Sequence, residues 1–449
     1  MKKIFQYIML AVVTIVMASC TSDIEEPTAT TGKSNVQLVV GEFPAFGDSQ
    51  TRAIGTPDPG KTSWAEGDEL LLVIDNTFYG KQYATFTYNG KSWKLTSGEL
   101  VYLEGDPAYI PHVYYAPNYK WEAGKLVLKE GKDPGTDEYI EGNAKITGNG
   151  ETITVSFAEA TRKYSRLRIA TLPNEQITVD TEYFTPAGSS DMEQNGNYTL
   201  TSDEKGNAYL YGTFENNSEV TVKYREAALT TYTFSQATES AKSYALDATV
   251  ISANSAEEIK SAIEQKVADG KTTIRLNLAP NAGTDEFMAI REAIKGAAPN
   301  DLGTIELTII GVETIPEEAF KRMSQLKSVK MPDVKEIKKY AFKECQYLTV
   351  VEAPSLNKLN SGAFNECYLL SKLTFGPINY ADARYWPIFE DITPNIDLIL
   401  SDYQKEMIET DSYLYTANND RDYAGSDEHN SKNFLGREFK SITCRFKVE

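Results

Sequence analysis

Histidine, cysteine and long apolar runs are scarce in this chain. The shortage of histidine limits the catalytic and metal-binding chemistry that the chain can carry out. His112 and His429 are the only histidines, so a histidine-based triad or a multi-histidine metal site has little to draw on. The sequence also lacks the G-x-S-x-G, H-E-x-x-H, Walker and dinucleotide-binding motifs. We therefore predict no cofactor, no metal ion and no enzymatic activity, although abundant carboxylates leave a glycosidase mechanism open by residue type.

Basic residues are outnumbered: 45 lysines and arginines stand against 64 aspartates and glutamates, giving a formal charge of −19. A surface of this charge repels phosphate backbones, so nucleic acid is not an expected partner. The same charge also serves solubility alone. At 449 residues the chain is too long for one compact core and predicts several domains.

The first twenty residues place a short apolar run between a basic start and a cysteine. Lys2 and Lys3 precede the run at 8–16, which is too short to span a membrane comfortably and suits a signal peptide. Residues 17–20, Met-Ala-Ser-Cys, resemble a bacterial lipobox, with Met where Leu is commoner. The resemblance implies a signal peptide at 1–19 and diacylglycerol on the Cys20 thiol. An ordinary secretory signal is the alternative.

Residues 20–35 form a predicted flexible acidic tether. Asp23, Glu25 and Glu26 resemble the sequence that sends some lipoproteins to the outer leaflet of the outer membrane. Residues 28–34 are rich in threonine and glycine, which suits a spacer. The resemblance implies a lipid-anchored protein that faces the cell exterior, while a plain solvated linker is the alternative.

Residues 36–250 carry the period-two patterns of β-strands. Turn signals such as Asn89-Gly90 and Pro134-Gly135 separate the runs. Many short strands divided by Gly, Asn and Pro predict an all-β region of two β-sandwiches, with a break near residues 143–150. The predicted strands are 36–40, 70–74, 84–88, 152–157, 167–170, 208–211 and 220–224.

Two short motifs in this region resemble fimbrillin-like surface proteins. Trp64, Gly67-Asp68 and Leu70 match the pattern W-x-x-G-D-x-[ILV], which recurs near the start of those proteins. Residues 164–169 resemble the start of their second sandwich. The resemblance covers about residues 36–250 and implies a cell-surface adhesin or a subunit with fimbrial partners.

Some fimbrillin-like proteins exchange strands after a protease cuts at an arginine near the first strand. Arg52 is the corresponding candidate, in a loop that contains Pro57 and Pro59 and is expected to be accessible. A plain loop arginine is the alternative. Residues 251–449 follow the sandwiches, whereas a shaft subunit would end in a donor strand. A tip adhesin or a stand-alone surface protein therefore fits better than a shaft subunit.

Residues 251–449 contain an internal repeat with a period of 22. Over about residues 304–376 each unit reads I-x-x-x-A-F-x-x-C-x-x-L-x-x-V-x-x-P, which resembles the BspA-like leucine-rich repeats of bacterial surface proteins. We predict an α/β solenoid in which the L-x-x-V segments form short strands. The repeating columns include Ala319, Ala341 and Ala363; Phe320, Phe342 and Phe364; and Met323, Cys345 and Cys367.

The column cysteines are predicted to pack as small hydrophobic residues, because Met323 occupies the same column. Column positions point the same way at successive levels, so they do not converge on a metal ion. With Cys20 assigned to lipid and Cys345 and Cys367 to packing, no cysteine is left to form a disulfide with Cys444, and no disulfide framework is predicted.

The flanks of the repeats are predicted to close both ends of the array. Ser255 and Glu258 form a capping box that opens a helix, and Gly270 ends it. Thr284 is predicted to cap a second helix. An array cannot end on open apolar surface, so these helices form a predicted N-terminal cap. Residues 395–400 and 438–446 are predicted to close the other end.

Positions between the buried strand residues are predicted to line a small concave sheet. These positions are also what ordinary solvated strands would present. The predicted ligand face comprises Ser328, Lys330, Val350, Glu352, Lys372 and Thr374.

Two other segments carry weaker signals for a ligand. Tyr380, Tyr385 and Trp386 have the ring faces that stack on sugars, but Trp386 falls 22 residues after Phe364 and is better placed to fill the array. Residues 418–422 alternate oxygen donors as calcium loops do, without the EF-hand glycine and distal glutamate.

The sequence as a whole predicts a multidomain surface lipoprotein that binds a protein or glycan on another surface. The first alternative is an accessory or tip subunit of a fimbria-like filament, with self-assembly. The second is a glycan-binding or glycan-processing surface protein. Fold resemblance alone does not decide among them.

Substitution Cys20→Ala is expected to abolish the incorporation of radiolabelled palmitate by cells that express the protein, because the thiol is the atom that carries the lipid. Cys345→Ala, as the matched control, is expected to retain the label. Label that persists without the Cys20 thiol would contradict the lipidation.

Overall fold

The computed structural model describes the chain in a set of separated ranges. Cys20, Arg52, Trp386, His429 and residues 418–422 lie outside them. The described residues are 36–48, 60–76, 80–99, 111–148, 153–157, 162–225, 227–253, 255–381, 388–389, 391–392, 395–404, 433–434 and 437–446.

The first β unit spans residues 36–157 and contains β-sheets that share one apolar core. The sheet orders are β1-β11-β10 and β5-β4-β3-β6-β9, and β7 pairs with β8. Leu72, Val113 and Val155 from these sheets are fully buried in the same core. The strands in this part of the chain are β1 (Val36–Val40), β2 (Gly47–Asp48), which joins the sheet of the second unit, β3 (Glu69–Asn76), β4 (Gly80–Tyr88), β5 (Trp93–Glu99), β6 (Pro111–Tyr115), β7 (Tyr119–Glu122), β8 (Lys125–Leu128), β9 (Ile140–Asn143), β10 (Lys145–Gly148) and β11 (Ile153–Phe157).

The W-x-x-G-D motif closes the edge of this core. The Trp64 ring packs edge-on against Phe43 at 4.7 Å between centroids, and its Nε1 donates to the Gly41 carbonyl at 2.8 Å. Gly67 has φ +92°, and the Asp68 carboxylate accepts from the Ala65 amide at 2.7 Å. The turn therefore delivers the chain into β3, as the motif predicted.

The predicted break between the sandwiches at residues 143–150 is wrong. Strand β11 pairs in parallel with β1, with Val36 opposite Ile153, and Phe157 is buried in the first core. The first unit therefore continues to Phe157. The dipeptide Asn149-Gly150 misled the prediction, because the strands on either side of it in the sequence, β10 and β11, belong to the same sheet.

The second β unit spans residues 162–250 and folds one continuous sheet around a core. The order is β17-β16-β13-β15-β12-β18-β2, and β14 pairs with β13. Strand β13 exchanges its partner β16 for β15 beyond Tyr183, which has φ +49°. The strands are β12 (Ser165–Ala170), β13 (Gln176–Pro186), β14 (Glu193–Thr201), β15 (Asn207–Phe214), β16 (Glu219–Tyr224), β17 (Ala227–Thr233) and β18 (Lys242–Asp247).

A buried ion pair joins the two β units. Arg162 and Glu138 form a salt bridge, and both residues are 4% exposed. Arg162 also donates to the Pro44 carbonyl at 3.1 Å, and its guanidinium lies 3.7 Å from the centre of the Phe46 ring. Because buried charges need such partners, the segment that follows β1 is part of this joint.

The repeat domain, residues 251–446, contains two sheets of short parallel strands. One sheet runs β19-β20-β21-β23-β25-β27-β29-β32 and a second runs β22-β24-β26-β28. The strands are β19 (Ile251–Ser252), β20 (Thr273–Asn277), β21 (Ile305–Ile310), β22 (Thr314–Ile315), β23 (Leu326–Lys330), β24 (Glu336–Ile337), β25 (Val350–Ala353), β26 (Lys358–Leu359), β27 (Lys372–Phe375), β28 (Tyr380–Ala381), β29 (Asp397–Ser401), β30 (Asn433–Phe434), β31 (Arg437–Glu438) and β32 (Ser441–Phe446).

Helices α1 (Ala256–Ala268) and α2 (Thr284–Ala297) lie where the sequence predicts them. The Ser255 side chain accepts the Glu258 amide at 3.3 Å, as expected for its cap. The cap of α2 differs from the prediction by one residue. Gly283 is the N-cap, and its amide donates to the Glu286 carboxylate at 2.8 Å, which satisfies an otherwise unpaired group.

A column of phenylalanine rings runs through the core of the repeat domain. Phe320 and Phe342 stack with centroids 5.2 Å apart, and Phe342 and Phe364 stack at 5.4 Å with an interplanar angle of 6°. Phe287 of α2 packs edge-on against Phe320 at 5.6 Å. All four rings are fully buried, so the helix and the coils share one core.

The repeat domain also packs directly on the second β unit. Arg275 of β20, which is 5% exposed, donates from Nε to the Leu229 carbonyl at 2.6 Å. Ile310 of β21 belongs to the core of the second β unit. Because these contacts are buried, they oppose free rotation between the two parts.

Substitution Phe342→Ala is expected to destabilise the repeat domain by about 3–5 kcal/mol, because it removes the central ring of a closed column. Guanidinium unfolding of the whole protein, followed for the repeat-domain transition, measures the change. The control Tyr368→Ala removes a ring that is 41% exposed, and it is expected to change stability by less than about 0.5 kcal/mol. Equal losses in the two variants would contradict the role of the column.

Candidate functional site

The six residues of the predicted ligand face lie together on the outward side of the main repeat sheet. Ser328, Val350 and Lys372 are opposite one another across β23, β25 and β27. The neighbouring positions Val329, Val351 and Leu373 are fully buried, and alternation along a strand therefore turns the predicted residues outward. The second row of the face consists of Lys330, Glu352 and Thr374.

A carboxylate between two ammonium groups marks the centre of this face. Glu352 lies 3.5 Å from Lys330 and 3.8 Å from Lys372, measured between charged atoms. The three side chains are 43%, 31% and 45% exposed in the order Lys330, Glu352, Lys372. Exposed pairs of this kind contribute little to stability, so their groups are available to a partner at small cost.

The first row extends beyond the predicted residues. Glu306 of β21 pairs with Ser328, which follows it by 22 positions in the sequence, so the 22-residue period also identifies Glu306. Thr308 pairs with Lys330 at the same spacing but is only 5% exposed, so the second row does not extend onto β21. The first row continues on β29 with Asp397, which pairs with Lys372 although it breaks the 22-residue spacing.

Asp397 has its own partners at that end of the face. It accepts from the Ser441 hydroxyl at 2.6 Å and lies 3.1 Å from the Lys440 ammonium. These hydrogen bonds hold the pKa of the Asp397 carboxyl below its usual value. The face thus presents hydroxyl, ammonium and carboxylate groups side by side, which suits hydrogen bonding to a polar surface.

The column cysteines lie beneath this face, in the core. Cys345 and Cys367 are fully buried, and their thiols donate to the carbonyls of Phe320 at 2.9 Å and Phe342 at 3.1 Å. Burial raises the pKa of Cys345 to about 12 and raises the pKa of Cys367 well above its usual value. Their prediction as packing residues is confirmed.

Other residues that the sequence singled out lie apart from this face. His112 is exposed on β6 and stacks on Tyr114 with ring centres 6.4 Å apart. Tyr380 of β28 is 41% exposed and belongs to the second parallel sheet. Within the ranges that the structure describes, no group of three or more His, Cys, Asp or Glu side chains has a metal-binding arrangement.

No helix among the described residues combines the length and the apolar character needed to cross a membrane.

Comparison with known proteins identifies the repeats. Residues 301–390 match the model of the BspA type leucine-rich repeat region, in six copies. The predicted repeat type is confirmed, and the match extends past both ends of the predicted array. No curated protein matches the chain.

Two solved structures resemble part of the chain. A protein of Bacteroides fragilis described as a candidate cell adhesion protein has 10% identity and a TM-score of 0.30, over 49% of this chain and 93% of that one. A minor pilin of Streptococcus agalactiae has 11% identity and a TM-score of 0.18, over 48% of this chain and 94% of that one. Neither score is high enough to fix the fold.

Iodoacetamide is expected to leave Cys345 and Cys367 unmodified in the folded protein and to modify both in guanidinium, because the reactive thiolate is suppressed by burial. Cys444, which is half-buried, is the internal control and is expected to react first. Mass spectrometry of tryptic peptides measures each site. Native labelling of the column thiols as fast as Cys444 would contradict their burial.

Proposed function

We propose that this chain is a surface lipoprotein that binds a protein or glycan on another surface through the outward face of its main repeat sheet. The polar face with Glu352 between Lys330 and Lys372 carries this proposal. It extends across consecutive parallel strands that are all anchored in one core. Such a rigid sheet keeps its groups in place, so little entropy is lost on binding. The protein is not an enzyme in this proposal.

The repeat domain is proposed to be a capped α/β solenoid. Ile259 and Ile263 of α1 and Phe287 of α2 are buried in the same core as the first coil. The helices precede the repeats and cover apolar side chains that would otherwise face water, which is what a terminal cap does. At the other end, β29 and β32 continue the sheet beyond β27.

The β units are proposed to be fimbrillin-like sandwiches that hold the repeats away from the membrane. Lipid on Cys20 would anchor the chain in the outer membrane, and residues 20–35 would form the tether. Support for the rigid arm comes from the buried contacts of Arg162 with Glu138 and of Arg275 with Leu229.

Protease shaving of intact cells tests the location. We expect peptides from residues 251–449 to be released and identified by mass spectrometry while a periplasmic marker protein stays intact. If the repeats are released only after the outer membrane is broken, the protein faces the periplasm and the proposal fails.

The double substitution Lys330→Glu and Lys372→Glu tests the face. It is expected to reduce the adherence of cells displaying the protein to immobilised mucin, collagen or fibronectin by about tenfold, because it replaces both ammonium groups with repelling charges. The matched control, Lys335→Glu with Lys358→Glu, makes the same charge change beside the second parallel sheet. Equal loss in both, or in neither, would contradict the assignment to this face.

A second candidate function is an accessory or tip subunit of a surface filament. The observation that favours it is the position of β1, which lies at the edge of its sheet and buries Leu38, while Phe43 and Phe46 follow it into buried sites. Cleavage at Arg52 would separate this segment from the strands it covers. The vacated apolar groove would then accept a strand from another subunit.

Arginine-specific proteolysis of the purified protein distinguishes this candidate. A ladder of oligomers that forms from the native chain, but not from Arg52→Lys, would favour the filament subunit. A cleaved protein that stays monomeric would contradict it and leave the stand-alone binding protein.

A further inference from the structure

A cleft of about 310 Å³ lies at the junction of the two β units. Tyr139 and Glu141 come from the first unit, Lys163 from the connection, and Gly188, Ser189 and Ser190 from the turn between β13 and β14. Junctions between units are favoured places for small-molecule sites, and this volume is at the lower end of the usual range for them.

An aromatic ring that its neighbours hold in place lines the cleft. Tyr139 packs edge-on against Tyr119 with ring centres 5.3 Å apart, and its amide donates to the Tyr164 hydroxyl at 2.8 Å. Gly188, with φ +86°, approaches the same ring so closely that a Cβ there would lie 2.7 Å from a Tyr139 ring carbon. The ring is therefore held in place before any ligand arrives.

One wall of the cleft is polar but carries no net charge. The Glu141 carboxylate accepts from Lys163 Nζ at 2.8 Å and from the Tyr139 hydroxyl at 3.3 Å. Burial and the nearby Glu141 raise the pKa of Tyr139, so its hydroxyl keeps its proton and donates. Glu141 and Lys163 together offer an acceptor and a donor side by side.

A turn of small hydroxyl residues also lines the cleft. The Ser189 amide donates to the Pro186 carbonyl at 3.0 Å, which closes the turn. The hydroxyls of Ser189 and Ser190 lie 3.3 Å from the Asp191 carbonyl oxygen and carboxylate respectively. These hydroxyls add both donors and acceptors to the rim.

We propose that this cleft binds the terminal ring of a neutral saccharide. A sugar has apolar C–H faces and a rim of hydroxyl groups, which match the Tyr139 ring and the two polar walls. A phosphate or carboxylate ligand fits less well, because Glu141 already neutralises Lys163. A purely apolar ligand would displace water from the hydroxyls and the carboxylate without offering hydrogen bonds in exchange. The site does not depend on the repeat sheet, so it is independent of the proposed binding face.

Saturation-transfer NMR on the full mature protein tests this site with free galactose, mannose, N-acetylglucosamine and lactose. We expect at least one of them to bind with a dissociation constant on the order of 1 mM. Ser190→Trp, which fills the mouth of the cleft from an exposed turn, is expected to weaken that binding by at least about tenfold. Thr201→Trp, at the far end of β14, adds the same bulk on the surface and is expected to leave binding unchanged.

Substitution Glu141→Gln gives a second measurement that does not depend on blocking the cleft. It removes the charge that neutralises Lys163, so the preference is expected to shift from lactose towards negatively charged sialyllactose. No transfer from any of the four sugars, or undiminished transfer in Ser190→Trp, overturns the proposal. If Lys330→Glu with Lys372→Glu abolishes the signal and Ser190→Trp does not, the sugar binds the repeat sheet, and only the cleft proposal fails.

Discussion

Each coil of the repeat domain has to match the next one in shape, because the rings of Phe320, Phe342 and Phe364 stack directly on each other. The backbone conformation also repeats from one coil to the next. Arg322, Glu344 and Glu366 all have a positive φ close to 63° and recur every 22 residues. An inserted residue in one coil would break the ring contact and shift the outward rows by one position. The polar face and its charge pattern therefore exist only because the interior is in register.

The sequence predicted the repeats well because every column is visible at one short, constant spacing. It predicted the outward face for the same reason, since the buried Val329 and Val351 define which neighbours point outward. Pairings between distant segments left no such signal. Strand β1 pairs with β11 more than a hundred positions later, and the dipeptide Asn149-Gly150 therefore suggested a boundary within a single sheet. The cleft was missed because Glu141, Lys163 and Ser190 come from three separate segments.

Buried polar contacts connect the two β units to each other and to the repeat domain. Arg162 resembles an ordinary surface charge in the sequence, yet Phe46 covers it and Glu138 neutralises it. Arg275 has a similar position between the repeat sheet and the Leu229 carbonyl. Because each buried charge demands specific partners, these contacts allow few alternative arrangements of the units. A purely apolar joint would tolerate sliding, whereas these joints fix the orientation of the cleft and the repeat sheet relative to their neighbours.

The parallel pairing of β1 with β11, and of β2 with β18, has a mechanical consequence. Tension applied between the start of the chain and its far end pulls β1 and β2 along their own axes. Their parallel partners, β11 and β18, are pulled in the opposite direction. The evenly spaced hydrogen bonds of such a pair are then loaded together in shear, instead of opening one after another. The segment that carries Leu38, Phe43 and Phe46 is thus placed to resist a force that pulls the two ends of the chain apart.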